Sequence, residues 1–297
     1  MNLLVLGGNG YLGSKVLSLL NGEGGHHLVC TARPTSDLSR IRDLLDSGSL
    51  RCIAATPEAV SAVMQYVNFD AVLNLACSYG RKGMLYPNVL EANLDFPLRV
   101  LNCAAEQGVR KYITVGTALP GEMNMYSFSK QMFGSFGQYY AEHYGISFTH
   151  LRLEMFYGAD SPRNRFLPDM VRKMLLGEQV DVTIGTQHRD IIALEDILLI
   201  VRAVLRSELP GYQELMVGTG VAPTISELVD FVWEETGRRS KVCKGAVPMR
   251  ENEPDCVGDP SGLAEFMGAS WQPVYWKDGI RRMITEMKEQ LGNEDTH

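Results

Sequence analysis

Residues 2–20 read NLLVLGGNGYLGSKVLSLL, and this stretch decides the fold. A short apolar run, residues 3–6, ends in glycines, and residues 14–20 then have helical spacing. Between them Gly7, Gly10 and Gly13 form G-x-x-G-x-x-G at a strand-to-helix turn. At such a turn the first glycine permits a tight bend. The second lets a pyrophosphate approach the backbone, and the third allows close helix–strand packing. The helix opening there offers unpaired N–H groups and a partial positive charge to phosphate. The reading is a dinucleotide site.

Working outward, residues 27–31 read as a second strand, running into Cys30-Thr31-Ala32-Arg33-Pro34. An NAD site usually carries an acid about 20 residues past the glycines, at this strand end. Here the first acid is Asp37. Arg33 can instead pair with a 2′-phosphate, with Thr31, Thr35 or Ser36 adding hydrogen bonds. NADP(H) is therefore the expected cofactor and NAD(H) the alternative.

Residues 71–75, 112–115 and 147–153 read as further strands, and residues 59–66, 88–106 and 126–144 as helical. Short apolar strands alternating with helices predict an α/β fold, a Rossmann-type doubly wound parallel sheet. Past residue 155 the alternation loosens. Helical stretches at 168–176 and 225–235 and a proline-rich segment at 248–273 follow. The expectation is a cofactor domain at 1–155, with a return segment near 185–210, and a smaller α/β domain at 156–297. The active site is expected between them, and residues 292–297 are expected to fray.

The 297 residues suit one large domain or two medium ones. A content of 45% hydrophobic and 21% charged residues excludes a disordered chain. The net charge of -7 gives no electrostatic footprint for nucleic acid or an anionic membrane. Six cysteines, at 30, 52, 77, 103, 243 and 256, have no metal-like spacing and read as buried, reduced thiols of a cytosolic protein. Histidine spacing predicts no metal either. The N-terminal apolar run lacks a basic flank and is broken by glycines, unlike a signal peptide. Residues 191–205 carry Glu195, Asp196 and Arg202, which bars them from spanning a bilayer. The chain is read as soluble and cytoplasmic.

Tyr126 and Lys130 stand four apart on a predicted helix and share a face. An ammonium beside a phenol stabilises the phenolate, so the tyrosine can exchange a proton with a carbonyl or alcohol oxygen. The pattern is common by chance, and alone it would suit a helix surface. Here it follows a strand ending in Gly116-Thr117, on the carboxyl edge where ligands sit, and the Thr117 hydroxyl can reach the same oxygen.

With these residues in view, the chain resembles extended short-chain dehydrogenase/reductases of the nucleotide-sugar epimerase/dehydratase group. The likeness rests on GGNGYLG (7–13), LNLA (73–76), EANLDFP (91–97), Thr117 with Tyr126 and Lys130, RDIIALEDI (189–197), MRENEPD (249–255) and GDPSGLAEFMGASWQP (258–273). The resemblance implies cofactor contacts from Tyr11, Leu12, Leu75, Ala76 and Lys130. It also implies a proton-relay water at Asn93 and a diphosphate clamp of Arg189 and Arg250. Phe166 with the following helix is expected at the base. Dehydratases of the group carry Asp-Glu directly after the threonine, whereas Ala118-Leu119-Pro120 stands here. Epimerases usually end the second strand in an acid, which is absent.

Within the group the chain is most similar to 4-ketoreductases of the CDP-abequose/CDP-paratose synthase type. That likeness lies in ACSYGRKG (76–83), which brings Tyr79 into the substrate set, YSFSK (126–130), LRLEMFYG (151–158) and GTQHRDII (185–192). Glu154 stands where many epimerases have asparagine, implying a different sugar or phosphate contact. Only eight residues separate Thr117 from Tyr126, a departure that leaves the sugar open. The implied reaction is NADPH-dependent reduction of a nucleotide-linked 4-keto-6-deoxy sugar. The alternatives are 4-epimerisation and a non-catalytic NADP-binding regulator. Helices 88–106 and 126–144 are expected to form a homodimer. The second carries more apolar positions (Phe128, Met132, Phe133, Phe136, Tyr139, Tyr140) than one buried stripe needs.

Overall fold

A computed structural model describes residues 1–80, 84–251 and 253–294, with the backbone alone at 293 and 294. In chain order the strands are β1 (Asn2–Leu6), β2 (His27–Ala32), β3 (Leu50–Ala54), β4 (Ala71–Asn74), β5 (Lys111–Thr117), β6 (Ser147–Leu153), β7 (Met155–Tyr157), β8 (Val180–Val182), β9 (Ile191–Ala193), β10 (Tyr212–Val217) and β11 (Val242–Lys244). The helices are α1 (Tyr11–Glu23), α2 (Arg42–Asp46), α3 (Pro57–Met64), α4 (Tyr86–Leu90), α5 (Phe96–Glu106), α6 (Met125–Tyr144), α7 (Phe166–Leu175), α8 (Leu194–Arg206), α9 (Ile225–Glu235), α10 (Ser261–Met267) and α11 (Trp276–Glu294). By contacts the chain forms two compact units, Met1–Leu153 with Leu198–Leu215, and Glu154–Ile197 with Met216–His297.

The first unit holds a seven-stranded sheet in the order β10-β6-β5-β4-β1-β2-β3. Every neighbouring pair from β3 to β6 is parallel. This is a Rossmann-type doubly wound sheet, and the direction of winding reverses between β1 and β4. Leu3, Leu4, Val5 and Leu6 are all 0% exposed, the continuous burial expected of a central parallel strand covered on both faces. Tyr112, Phe133 and Phe148 pack together in the core, with the Tyr112 and Phe148 rings stacked at 5.4 Å. Lys111, at the start of β5, is buried, and its ammonium donates to the carbonyls of Leu205 and Ser207 at the end of α8. It thereby serves as the C-terminal cation that helix ends favour.

The second unit has two small parallel pairs, β7 with β9 and β8 with β11. Its core lies among α7, α9 and α11, with Met170, Leu228, Val232, Ile280 and Met283 buried together.

Several expectations change. Residues 88–106 are not one regular helix: α4 and α5 are joined by a π-helical segment, Glu91–Asp95. Phe133 is turned into the core, and the Tyr140 hydroxyl donates to Asn102 Oδ1 at 2.9 Å, so neither belongs to an unpartnered face. Of the six cysteines, Cys30 and Cys256 are buried, Cys77 is exposed and the rest lie between. The chain remains helical to Glu294, past the point where fraying was expected, and residues 295–297 lie outside the described residues. Among the described residues no helix is long and apolar enough to cross a membrane.

Candidate active site

In the first unit the site begins at the carboxyl ends of β1 and β4. Gly7 has φ +74° and approaches the chain after β4 so closely that a Cβ would stand 2.7 Å from Ala76 Cα. A Cβ on Gly13 would meet the Gly7 carbonyl oxygen at 2.2 Å. The loop is tied down by Gly10 N–H to Gly7 O at 3.0 Å and Gly7 N–H to Thr31 Oγ1 at 3.3 Å. Helix α1 opens directly at Gly10, with no side-chain cap and no acid in its first turn. Its first N–H groups, beside Tyr11 and Leu12, suit an anion. A dinucleotide pyrophosphate fits this glycine cradle. Gly8 belongs to it as well, although the motif spacing did not single it out. A side chain there would collide with Cys30 Cβ at 2.6 Å and Leu17 Cδ1 at 2.8 Å.

At the end of β2, Arg33 is exposed. Thr31 is buried and accepts from Gly7, so its hydroxyl holds the loop rather than facing a ribose phosphate. Asp37 accepts from the Ser39 N–H and hydroxyl, at 2.8 and 2.9 Å, which holds its carboxyl below the usual range.

Helix α6 starts where it does because Asn124 caps it. Asn124 Oδ1 accepts from Ser127 N–H at 2.9 Å, and the Ser127 hydroxyl receives the Asn124 N–H in return. This puts Tyr126 in the first turn and Lys130 one turn later. Lys130 is buried, and its Nζ donates to Ala76 O at 2.7 Å and Val115 O at 3.0 Å. The lysine therefore joins the ends of β4 and β5, two residues from Thr117. Two of its three protons are placed by the protein. Burial lowers its pKa below that of an ordinary lysine, with the nearby Cys77 thiol opposing. Thr117 is buried, and its hydroxyl accepts from Leu119 N–H at 3.2 Å. The Tyr126 ring packs on Tyr79 with centroids 4.8 Å apart. Leu75 is buried and its N–H bonds Leu6 O at 3.0 Å.

Asn93 is fully buried in the π-helical segment. Its amide donates to Ser78 O at 2.8 Å and Ser129 Oγ at 3.1 Å, and its oxygen accepts from Ser78 N–H at 2.7 Å. Both amide protons thus go to protein groups. Asn93 anchors the loop after β4 to α6 through Ser129, whose hydroxyl donates to Tyr126 O at 2.9 Å. Sequence reasoning missed Ser129, whose only signal is its place inside YSFSK. Residues 81–83 of the ACSYGRKG motif lie outside the described residues.

In the second unit, Arg189 pairs with Glu253 and donates to the carbonyls of His188 at 2.8 Å and Pro254 at 2.6 Å. Arg250 is 74% exposed, with Nε 3.9 Å from the other Glu253 oxygen. One carboxylate thus brings the two predicted arginines together. In the MRENEPD motif, Asn252 lies outside the described residues. Asp190 is fully buried and accepts from the Thr219 N–H and hydroxyl and the Gly220 N–H, a loop anchor rather than a partner of Arg189. Glu154 is buried against backbone that only glycine allows: a Cβ on Gly258 would lie 2.9 Å from its Oε1, and one on Gly218 2.9 Å from its Cγ. Phe166 opens α7 and is 39% exposed. It lines a shallow pocket with Arg163, Arg165, Lys173 and Val182. The Arg165 guanidinium lies 4.0 Å over the Phe156 ring.

Residues 3–218 match the NAD dependent epimerase/dehydratase family. The chain belongs to that family. It is thus an enzyme of the oxidoreductase type, in a family that modifies nucleotide sugars with a nicotinamide dinucleotide. It is 26% identical to a CDP-abequose synthase of Salmonella muenchen, over 97% of this chain and 98% of that protein. Among solved structures it is similar to the UDP-glucose 4-epimerase of Thermotoga maritima with UDP-glucose. That match has a TM-score of 0.85 at 20% identity, over 98% of this chain and 100% of the other. The Thermus thermophilus UDP-glucose 4-epimerase complex with NAD gives a TM-score of 0.81 at 21% identity, over 97% and 99%.

Proposed function

We propose that this enzyme reduces the C4 ketone of a CDP- or dTDP-linked 4-keto-6-deoxy sugar, with NADPH as the preferred donor. The observation that carries this reading is Lys130, buried between the ends of β4 and β5 on the helix that bears Tyr126. Thr117 follows closely on β5, and no Asp-Glu pair comes after it. A proton donor and its tuning cation are thus present without the acid and base that elimination of water needs.

Gly7, Gly10 and Gly13, with the opening of α1, would hold the pyrophosphate, and the third Lys130 proton suits a ribose hydroxyl. When bound, the nicotinamide supplies the hydride. Tyr126 gives its phenolic proton to the oxygen developing at C4, and Lys130 stabilises the phenolate that remains. Thr117 orients the same oxygen by a hydrogen bond. Arg189 and Arg250 pair with the diphosphate through planar guanidinium forks, exchanging Glu253 for phosphate. Phe166 faces the base. In this reading the first unit holds the cofactor and the second the nucleotide sugar, in a cytoplasmic homodimer.

The test is NADPH and NADH oxidation against CDP-, dTDP-, GDP- and UDP-linked 4-keto-6-deoxy sugars. Oxidation with one of them is expected, and inertness toward all would reject the reading. Arg33→Asp is expected to weaken NADPH by about tenfold or more and NADH far less, the worth of one charged hydrogen bond. Equal losses would show that Arg33 does not meet a 2′-phosphate. The second reading, 4-epimerisation, is favoured by the epimerase neighbours, one of them solved with NAD. It predicts interconversion of 4-hydroxy sugars with no added cofactor.

A further inference from the structure

Behind the helix that carries Tyr126 and Lys130 lies a buried group that the proposed reaction does not use. His150, in β6, is 2% exposed. Its ring fills the space of two absent side chains. A Cβ on Gly116, in β5, would stand 2.1 Å from Nε2, and one on Gly134, in α6, 2.4 Å from Nδ1. Gly116 immediately precedes Thr117, and Gly134 stands one turn beyond Lys130. The imidazole is thus clamped between the strand end and the helix that together present the threonine, the tyrosine and the lysine.

The clamp is anchored from β10. His150 Nδ1 lies 3.2 Å from Glu214 Oε2 and 3.5 Å from the Tyr212 hydroxyl. Arg152, also in β6, bonds the other Glu214 oxygen at 3.1 Å. Among the described residues, Nε2 has no hydrogen-bond partner. The groups facing the ring are therefore Glu214 and Tyr212 on β10, Arg152 on β6 and Lys130 on α6. Burial and the two cations disfavour a charged imidazole, while Glu214 favours one, and the balance holds the ring below its ordinary pKa. A neutral ring donates Nδ1–H to Glu214 and adds no second cation beside Lys130.

We propose that His150 is a positioning residue, the spacer that sets α6 against the end of β5 and so places Tyr126 and Lys130 relative to Thr117. The proposal rests on the function argued above only in giving those three residues the reaction. A packed interior transmits a missing ring as a shift of its neighbours. A shift of about 1 Å in a reacting group can cost roughly a hundredfold in rate.

The experiment compares the full chain with G134A, H150A, H150A/G134A and H150Q. G134A alone is expected to lower Tm by about 5 °C or more, because its methyl meets the ring. In the H150A background the same change is expected to be harmless or stabilising, because the space is empty. That reversal is the coupling of two groups that share one site. Equal losses in both backgrounds would overturn the proposal.

At temperatures well below Tm, H150A is expected to lower kcat by about tenfold or more while KM for the sugar nucleotide moves less than about twofold. H150A/G134A is expected to regain part of the kcat. A lowered Tm with unchanged kcat would make His150 merely structural and overturn the proposal. H150Q keeps a donor toward Glu214 and reads the same kcat-against-KM split should H150A not fold. If the unmodified chain turns over no sugar nucleotide, the function fails rather than the spacer, and the NADPH Kd replaces kcat. A weakening of about fivefold or more in H150A, partly regained in H150A/G134A, is then expected, and an unchanged Kd would overturn the proposal.

Discussion

Tyr126 sits in the first turn of α6 and Lys130 faces the ends of two strands, so one helix carries both the proposed proton donor and its cation. Tyr126→Phe removes only the proton donor. It is expected to keep NADPH affinity while lowering kcat by roughly 10²–10⁴, the usual worth of a positioned acid. Fluorescence titration and steady-state rates on the same preparation check this, and near-normal turnover would reject the tyrosine's role. At His150 the expectation concerns pH. The unfolded chain takes up this proton near its ordinary value of 6.5, while the folded chain resists it to lower pH. The neutral ring thus contributes stability that is complete above about pH 7 and shrinks as pH falls through 6.5. Glu214 is held at about 2 by His150, Arg152 and Tyr212, so its contribution is lost only below its ordinary value of 4.5. Urea midpoints from pH 8 to 5 are expected to fall with acid, and less steeply in His150→Gln. An identical slope in both would assign the dependence to other groups.

The element that departs most from its sequence pattern is the one that bears Asn93. The spacing of Leu90, Leu94, Leu98 and Leu101 reads as a single helix, yet Glu91–Asp95 widens into a π turn that turns Asn93 toward Ser78 and Ser129. Such turns concentrate at functional sites. Asn93→Ala removes two hydrogen bonds to the half-buried Ser78 backbone and one to the buried Ser129 hydroxyl, and is expected to destabilise the chain by about 1–3 kcal/mol. It should also lower kcat through the loosened loop at Tyr79, measured by urea unfolding and turnover below the transition. Unchanged stability would mean water replaces the amide. Apolar periodicity cannot show such a turn, because one extra residue alters it too little. It also missed β3, whose LRCIA is an edge strand with an exposed Arg51, and α11, which is polar except where it meets its own unit. The glycine turn before α1 and the helix shared by Tyr126 and Lys130 were legible because local spacing sets both. His150 was not, because its meaning depends on two glycines brought to it from β5 and α6.

Association of one chain with another is decided on α6. Six apolar residues along this helix suggested an excess over one buried stripe. Phe133 in fact enters the core and Tyr140 is held by Asn102. Phe128, Met132 and Tyr139 remain 48%, 36% and 51% exposed. They stand at i, i+4 and i+11, with Ser135 between, so they form one outward stripe rather than scattered exposure. A stripe of large exposed apolar residues is the kind of surface that pairs with its own copy about a two-fold axis. A stable pair would need to cover roughly 800 Å² on each partner, which requires α5 beside α6 as well as the stripe itself. Sedimentation at micromolar concentration is therefore expected to give a dimer. Met132→Glu with Tyr139→Glu is expected to give a monomer with an unchanged circular dichroism spectrum. The two carboxylates replace side chains that are exposed in the protomer but would have to be buried in the pair. A monomeric unmodified chain, or a dimer indifferent to both glutamates, would move the interface off this helix.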